Sequence, residues 1–203
     1  MHIAIAGNIG SGKTTLTTIL AQNFKWQAHF EEVDDNPYLD DFYHQMDRWS
    51  FNLQIHFINS RFRQILQIQE SGKNVVQDRT IYEDAYIFAP NLHTMGLMTN
   101  RDFVNYKSLF ELIESLIKAP NLVIYLRSSI PNLIRQIHKR GREYERNIST
   151  DYLSRLNDHY EGWFQSYDRG KSIVIDVDTL NFVDNPKDLD IVIAKIKAVI
   201  STL

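Results

Sequence analysis

Gly7-Asn8-Ile9-Gly10-Ser11-Gly12-Lys13-Thr14 satisfies the pattern G-x-x-x-x-G-K-[ST] at every position, with Thr15 directly after it. Each fixed position has a physical task. The glycines let backbone N–H groups turn inward as an anion nest, and the helix that follows presents its positive end. Lys13 reaches the outer phosphates, and Thr14 offers a hydroxyl to magnesium. The context fits as well: an apolar run at 3–6 reads as a strand, and Leu16, Ile19 and Leu20 share one side of a helical pattern that opens near Gly12. Strand, glycine loop and helix in that order point to a nucleoside triphosphate, ATP or GTP, bound with magnesium.

Working outward, four further short apolar runs lie at 29–33, 74–77, 122–126 and 172–176. Helical or polar sequence separates them. Five strands alternating with helices imply an α/β fold, a five-stranded parallel sheet flanked by helices in three layers. Helices are expected at 47–70, stopped by Ser71-Gly72-Lys73, and at 100–118, ended by Pro120. Two more are expected from the N-cap Ser149 to about Asp168 and over 186–200, the latter opening with a proline suited to a first turn. No repeat or linker divides the 203 residues, so a single domain over 1–203 is expected.

Composition narrows the function classes. Twenty-two basic against 25 acidic side chains leave a formal charge of −3, so no global positive field invites nucleic-acid phosphates or an anionic membrane. The absence of cysteine removes thiol nucleophiles, thiolate zinc sites and disulfides. No stretch reaches the roughly 18 apolar residues of a membrane helix, and the N-terminus shows no secretory apolar region, so a cytoplasmic protein is expected. The guanine-switch strings D-x-x-G and N-K-x-D do not occur. A small-molecule kinase therefore leads over a GTPase switch or a nucleic-acid motor.

Polar residues interrupt the patterns at informative places. On the helix over 47–70, advancing about 100° per residue from Phe51 puts Ile55, Ile58, Phe62, Ile65 and Leu66 on one apolar arc. Gln54 and Arg61 fall together at its edge, on the order of 10 Å apart along the axis. They either look along one cleft or fringe a core helix with Arg61 reaching water, and spacing alone leaves both open. Asp78-Arg79-Thr80 and Asp84 follow the third strand, at the carboxyl end where open α/β sheets bind ligands. Glu31 and Glu32 end the second strand, beside the phosphate loop if those strands are neighbours. A carboxylate there could take a hydroxyl proton as a phosphoryl group moves. Arg135, Lys139, Arg140, Arg142 and Arg146 gather around Gly141, as in a mobile lid at about 136–148 that closes arginines over phosphates.

Taken together these residues resemble the deoxyribonucleoside kinases, relatives of the thymidylate and other nucleoside monophosphate kinases. The resemblance runs from Gly7 to about Phe182. It rests on the loop at 7–13, Phe-Glu-Glu-Val at 30–33, Arg-Trp-Ser-Phe-Asn-Leu-Gln at 48–54 with Ser-Arg at 60–61, Asp-Arg-Thr with Asp84, and Arg-Gly-Arg-Glu-Tyr-Glu at 140–145. It implies that Glu31 takes the proton of a sugar 5′-hydroxyl, that Arg79 steadies that carboxylate and the transferring phosphate, and that Asp78 helps hold magnesium through water. It further implies that Gln54 and Asp84 bind the nucleobase, that Arg61 pairs with Asp84, and that Tyr43 and Glu145 bind the 3′-hydroxyl, with Tyr43 crowding a ribose 2′-hydroxyl. Arg140 and Arg142 would form the lid over ATP, the segment from Asp178 to Phe182 would flank adenine, and a homodimer would pack through long helices. The chain departs from the family where Glu31-Glu32-Val33 replaces Glu-Pro-Val, which leaves Glu31 or Glu32 as the base with Glu31 favoured, and where Asp78-Arg79-Thr80 replaces Glu-Arg-Ser.

Elementary chemistry adds a preference among bases. An ionised Asp84 only accepts hydrogen bonds, whereas the Gln54 amide both donates and accepts. That pair suits adenine, cytosine or a turned guanine, each with an exocyclic amine, and disfavours thymine. A thymidylate-like kinase is the alternative. Such kinases carry an arginine where this chain has Phe30, and the acidic pair beside it would repel an anionic acceptor.

Overall fold

Each short apolar run forms a strand because its neighbours cover both faces, and the intervening helical stretches supply those covers. The computed structural model describes residues 1–31, 36–145 and 148–203; Glu32, Val33 and Arg146 lie outside the described residues. The order is β1 (His2–Gly7), α1 (Lys13–Phe24), β2 (Gln27–His29), α2 (Leu39–His44), α3 (Met46–Ser71), β3 (Val75–Asp78) and α4 (Ile81–Glu83). A π-helical turn (Asp84–Phe88), α5 (Ala89–Thr94), α6 (Asn100–Glu114), β4 (Leu122–Arg127) and α7 (Ile130–Arg140) follow, then a 3₁₀ turn (Glu143–Glu145), α8 (Thr150–Ser166), β5 (Lys171–Asp176) and α9 (Pro186–Ile200).

Among the described residues five strands form one parallel sheet in the order β2-β3-β1-β4-β5. The pleat divides the core in two. Ile3 and Ile5 pack with Leu16 and Leu20 of α1 and Val192 and Ile196 of α9. On the opposite face Ala6, Val123 and Tyr125 meet α3, α6 and α8 through Ile58, Phe110 and Leu156. This is the expected three-layer α/β fold. No helix among the described residues is long and apolar enough to cross a membrane.

Two expectations about the strands change. β2 pairs with β3 and not with β1, so β3 lies between it and the phosphate loop, and Asp78 stands beside Ile5 instead. β2 also ends at His29, ahead of the expected 29–33. The Phe30 carbonyl leaves the ladder to accept from Gln64 Nε2 at 2.9 Å, so Glu31 stands in the connection beyond the strand. β1 and β3 are adjacent strands whose next strands lie on opposite sides, and their carboxyl ends make the crevice.

Helix ends differ in smaller ways. α6 stops at Glu114, four residues early, because Leu116 N–H bonds to Ile113 O in a tightened last turn before Pro120. Residues 136–140 of the expected lid are the end of α7, closed by Gly141 at φ 73°. α3 carries the largest correction. Its buried face holds Ser50, Leu53, Gln54, Ile58, Arg61, Ile65 and Ile68, while Leu66 is exposed. That face is turned roughly a quarter of the circle from the apolar arc, with Gln54 and Arg61 near its middle.

Ser149 caps α8 as expected, its hydroxyl accepting from Tyr152 N–H at 3.1 Å. Ser149→Ala should therefore destabilise the fold by about 1 kcal/mol, the usual scale for a lost N-cap. A thermal melt should show a Tm lowered by about 2–4 °C; no shift would mean that Thr150 or solvent replaces the cap.

Candidate active site

The phosphate loop joins β1 to α1 through a backbone that few side chains could adopt. Gly10 has φ 85°, and a Cβ there would lie 2.9 Å from both Leu133 O and Ile137 Cγ1. Gly12 sits at φ 92° immediately before the first turn of α1. Lys13 is buried, and its Nζ donates to the carbonyls of Gly7 at 2.8 Å and Asn8 at 3.0 Å. Burial, with help from the nearby Arg79 charge, lowers its pKa to about 7 against the opposing pull of Asp78, Glu83 and Glu31. The Asn8 side chain turns away from the loop's interior and ties the loop to α8, donating to Leu153 O and Asn157 Oδ1.

Thr14 Oγ1 donates to Asp78 Oδ2 at 2.5 Å, while buried Asp78 Oδ1 has no partner among the described residues. Burial raises the Asp78 pKa. Around this point four carboxylates, Glu31, Asp78, Glu83 and Asp84, face three cations, Lys13, Arg61 and Arg79. Excess buried negative charge and an unpartnered hard oxygen fit magnesium, which takes one or two protein oxygens and keeps its waters. No three His, Cys, Asp or Glu side chains converge into a closed metal cage among the described residues.

Beside Thr14 opens a cavity of about 260 Å³. Ile9, Lys13, Thr14, Glu31, Tyr43 and Gln54 line it, and so do Asp78, Arg79, Asp84, Arg140, Arg142 and Glu145. Twelve residues singled out by sequence thus converge. Gln54 Oε1 is buried there without a partner among the described residues. The π-helical turn sets Asp84 and Phe88 on the same wall.

Behind that wall runs a continuous chain of ion pairs. Arg61, 3% exposed, gives Nε to Asp84 Oδ2 and Nη2 to Glu31 Oε1 at 2.5 Å. Arg79, 5% exposed, reaches Glu31 Oε2 at 3.3 Å and Glu83 Oε1 at 3.4 Å. Arg61 does not reach water; it lies behind the cavity as a counter-ion for two of its acids. Burial by itself would raise the Glu31 pKa, but Arg79, Arg61 and Lys13 outweigh it and hold the carboxyl well below the usual range. For Asp84 burial dominates, and its pKa is pushed up to about 6 despite Arg61 and Arg79.

At the opposite rim, Glu145 holds both Arg140 and Arg142, the arginines of the expected lid. Arg140 Nη2 lies 2.5 Å and Arg142 Nη1 3.5 Å from its carboxylate. Tyr43 stacks on Tyr144, 5.5 Å between centroids, and burial raises its pKa well above the ordinary value. Asp178 and Phe182 do not line the cavity. The Asp178 carboxylate accepts from Ser129 N–H, Ser128 Oγ and Asn132 Nδ2, anchoring the start of α7, and Phe182 is buried in the core against Gly12.

This convergence is what comparison with known proteins now meets. Residues 3–201 match the family described as deoxynucleoside kinase. The chain belongs to that family. It is 36% identical over 200 residues to the deoxyadenosine/deoxycytidine kinase of Bacillus subtilis, covering 98% of this chain and 92% of that one. It is 35% identical over 206 residues to the deoxyguanosine kinase of the same organism, covering 98% of this chain and 97% of that one. A solved structure of the deoxyadenosine kinase from M. mycoides, with products dCMP and a flexible dCDP bound, matches with a TM-score of 0.86 and 27% identity over 98% of this chain and all of that one.

Several residues of this kinase's site escaped the sequence reading. Phe57 and Phe88 line the cavity and cover Arg61 and Arg79, with the guanidinium carbons 5.3 and 4.7 Å from the ring centroids. Phe30, Leu39, Phe42, Leu53, Tyr144 and Tyr152 complete its apolar lining. Nothing in their spacing separates them from core aromatics. Glu83 did carry a signal, since Thr80-x-x-Glu83 has capping-box spacing.

Arg61 is the shared counter-ion of two acids, so Arg61→Ala should cost about 3–5 kcal/mol by stranding buried Asp84 and leaving Glu31 with Arg79 alone. Arg61→Lys should recover only part of this, because an ammonium lacks the fork that spans two carboxylates. Denaturant titration measures both losses, and a loss below about 1 kcal/mol for Ala would show that Glu31 and Asp84 find other partners.

Proposed function

We propose that this kinase moves the γ-phosphoryl group of ATP onto the 5′-hydroxyl of a deoxyribonucleoside bearing adenine, guanine or cytosine, releasing a 5′-monophosphate for nucleotide salvage. One observation carries the reading: a single cavity has Lys13 and Thr14 of the phosphate loop on one side and the Glu31–Arg61–Asp84 bridge on the other. A sugar spans that interval, with its base toward Gln54 and Asp84 and its hydroxymethyl group toward Glu31. A monophosphate and a diphosphate, the product pair named for the M. mycoides enzyme, are what remains when one phosphoryl leaves a triphosphate for a nucleoside.

In this reading Glu31 accepts a hydrogen bond from the 5′-hydroxyl and receives its proton. Held strongly ionised by two arginines, it is a weak base. That suffices if the transferring group is metaphosphate-like, because the proton then leaves late and the carboxylate's main task is orientation. Arg79 holds Glu31 and lends charge to the equatorial oxygens, joined from the donor side by Lys13 and, after release from Glu145, by Arg140 and Arg142. Magnesium supplies charge neutralisation to the phosphates, and Thr14 and Asp78 would hold it. Tyr43 and Glu145 bind the 3′-hydroxyl, and Tyr43 fills the space of a ribose 2′-hydroxyl. The outer faces of α3 and α6 carry exposed Leu66, Val104, Leu109 and Leu112, with Leu116 just beyond α6, and these support a homodimer through those helices. An anionic acceptor fits less well, since Phe30 rather than an arginine stands at the cavity beside Glu31.

Purified protein with magnesium and ATP, offered four deoxynucleosides, their ribose counterparts and the monophosphates, tests the whole reading. Deoxyadenosine, deoxyguanosine or deoxycytidine should be converted well ahead of thymidine, because a base without the amine leaves Asp84 and Gln54 unpaired. Thymidine turned over as fast as deoxyadenosine would remove Asp84 from base recognition, and monophosphate turnover alone would favour the thymidylate-like alternative. In the same assay Glu31→Gln should cut kcat about 100-fold or more while ATP still binds; near-normal turnover would shift the role to Glu32 or to no base at all.

A further inference from the structure

Glu83 lies outside the cavity lining and is 0% exposed, yet its carboxylate is the most heavily shared group near the site. As the fourth residue of a capping box it accepts from the Thr80 backbone N–H through Oε2 at 2.7 Å, and its own N–H donates to Thr80 Oγ1 at 3.3 Å. Capping needs only that much. The second oxygen, Oε1, accepts from Gly7 N–H at 3.1 Å, from Tyr160 Oη at 2.8 Å and from Arg79 Nη1 at 3.4 Å. Tyr160 Oη also lies 2.8 Å from Gly7 O and accepts from Arg79 Nη1 at 3.0 Å. With one proton to give, that hydroxyl shares it between Gly7 O and Glu83.

The residue held at the centre of this network is strained. Arg79 has φ 71°, in the left-handed region that a side chain with a Cβ disfavours. On its upstream side it is anchored to β1, donating its N–H to Ile5 O at 2.9 Å. Downstream, the next N–H is the one that Glu83 Oε2 accepts. The same carboxylate therefore fixes the backbone that makes the turn, the guanidinium that the turn projects, and the first glycine of the phosphate loop. Such strain persists where surrounding contacts over-determine it, and it is concentrated at sites where geometry is functional.

We propose that Glu83, assisted by the Tyr160 hydroxyl, is a positioning residue for phosphoryl transfer: it clamps Arg79 in its left-handed conformation and sets the guanidinium at a fixed place relative to the phosphate loop. This rests on the role given above to Arg79. The clamp acts on the rate of transfer, because Arg79 and Gly7 shape the place of the moving group, whereas Asp84 on the base-binding wall takes its direct ion pair from Arg61.

A mutant cycle distinguishes clamping from simple support of the fold. Glu83→Gln keeps the volume but puts a donor where one carboxylate oxygen accepts, and it should lower kcat about tenfold to a hundredfold with little change in the acceptor KM, as displaced catalytic groups do. Arg79→Ala should lower kcat by itself. In the Arg79→Ala background, Glu83→Gln should then cost little more, since the group it positions is gone. Multiplying effects in the double variant, or near-normal kcat in Glu83→Gln, would overturn the clamp. Unchanged kcat in Arg79→Ala would instead overturn the role of Arg79 itself. Should Glu83→Gln fail to fold, Tyr160→Phe enters the same cycle. Removing that one hydroxyl should lower kcat in the wild-type background and not in the Arg79→Ala background, and equal losses in both would equally overturn the proposal.

Discussion

Two guanidiniums sealed from water, Arg61 and Arg79, need carboxylates at contact distance, and the rest of the molecule is arranged to deliver them. Desolvating such an ion costs several kcal/mol unless its partners are well placed. Here they come from two separate parts of the chain: Glu31 after β2, and the consecutive pair Glu83 and Asp84 where α4 passes into the π-helical turn. The chain Asp84–Arg61–Glu31–Arg79–Glu83 fixes the rotation of α3 and the early end of β2 at once. It also explains why a residue with a Cβ, Arg79, occupies a turn that glycine would adopt more cheaply.

The same pairs divide the acids by role. Glu31 meets two arginines and stays ionised, whereas Asp84 meets one closely and is more deeply buried, so desolvation moves its pKa the other way. One network therefore holds one carboxylate firmly ionised and another, on the same cavity wall, whose pKa is pushed up to about 6. Lys13 belongs to this balance too. Packed against loop carbonyls and near Arg79, its pKa is lowered to about 7, and phosphate oxygens are the partners that would favour its charged form.

Periodicity made the layers legible, because each strand buried on both faces reads as an apolar run and each flanking helix opens or closes with a recognisable cap. Gly72 and Ser149 mark helix ends, and the glycine loop marks the site. Periodicity misled on α3. Counting apolar residues puts Phe62 and Leu66 inward and Arg61 at the edge, but the burial of Arg61 is decided by acids brought in from the connection after β2 and from the π-helical turn, which no property of the helix itself reveals. Spacing was equally silent about Asp178, whose carboxylate accepts from Ser129 N–H and Asn132 Nδ2 at the start of α7, some fifty residues earlier in the chain.

From sequence alone came the phosphate loop, the five-strand alternation and most polar residues of the cavity, since each of these is a local pattern with a local cause. The strand order, the pairing of each arginine with its acids, the aromatic lining and the part played by Glu83 and Tyr160 belong to the tertiary structure. They arise between groups as far apart in the chain as Gly7 and Tyr160. Long-range electrostatic and hydrogen-bond partners leave no period in a sequence, because what selects them is shared exclusion from water after the layers have packed.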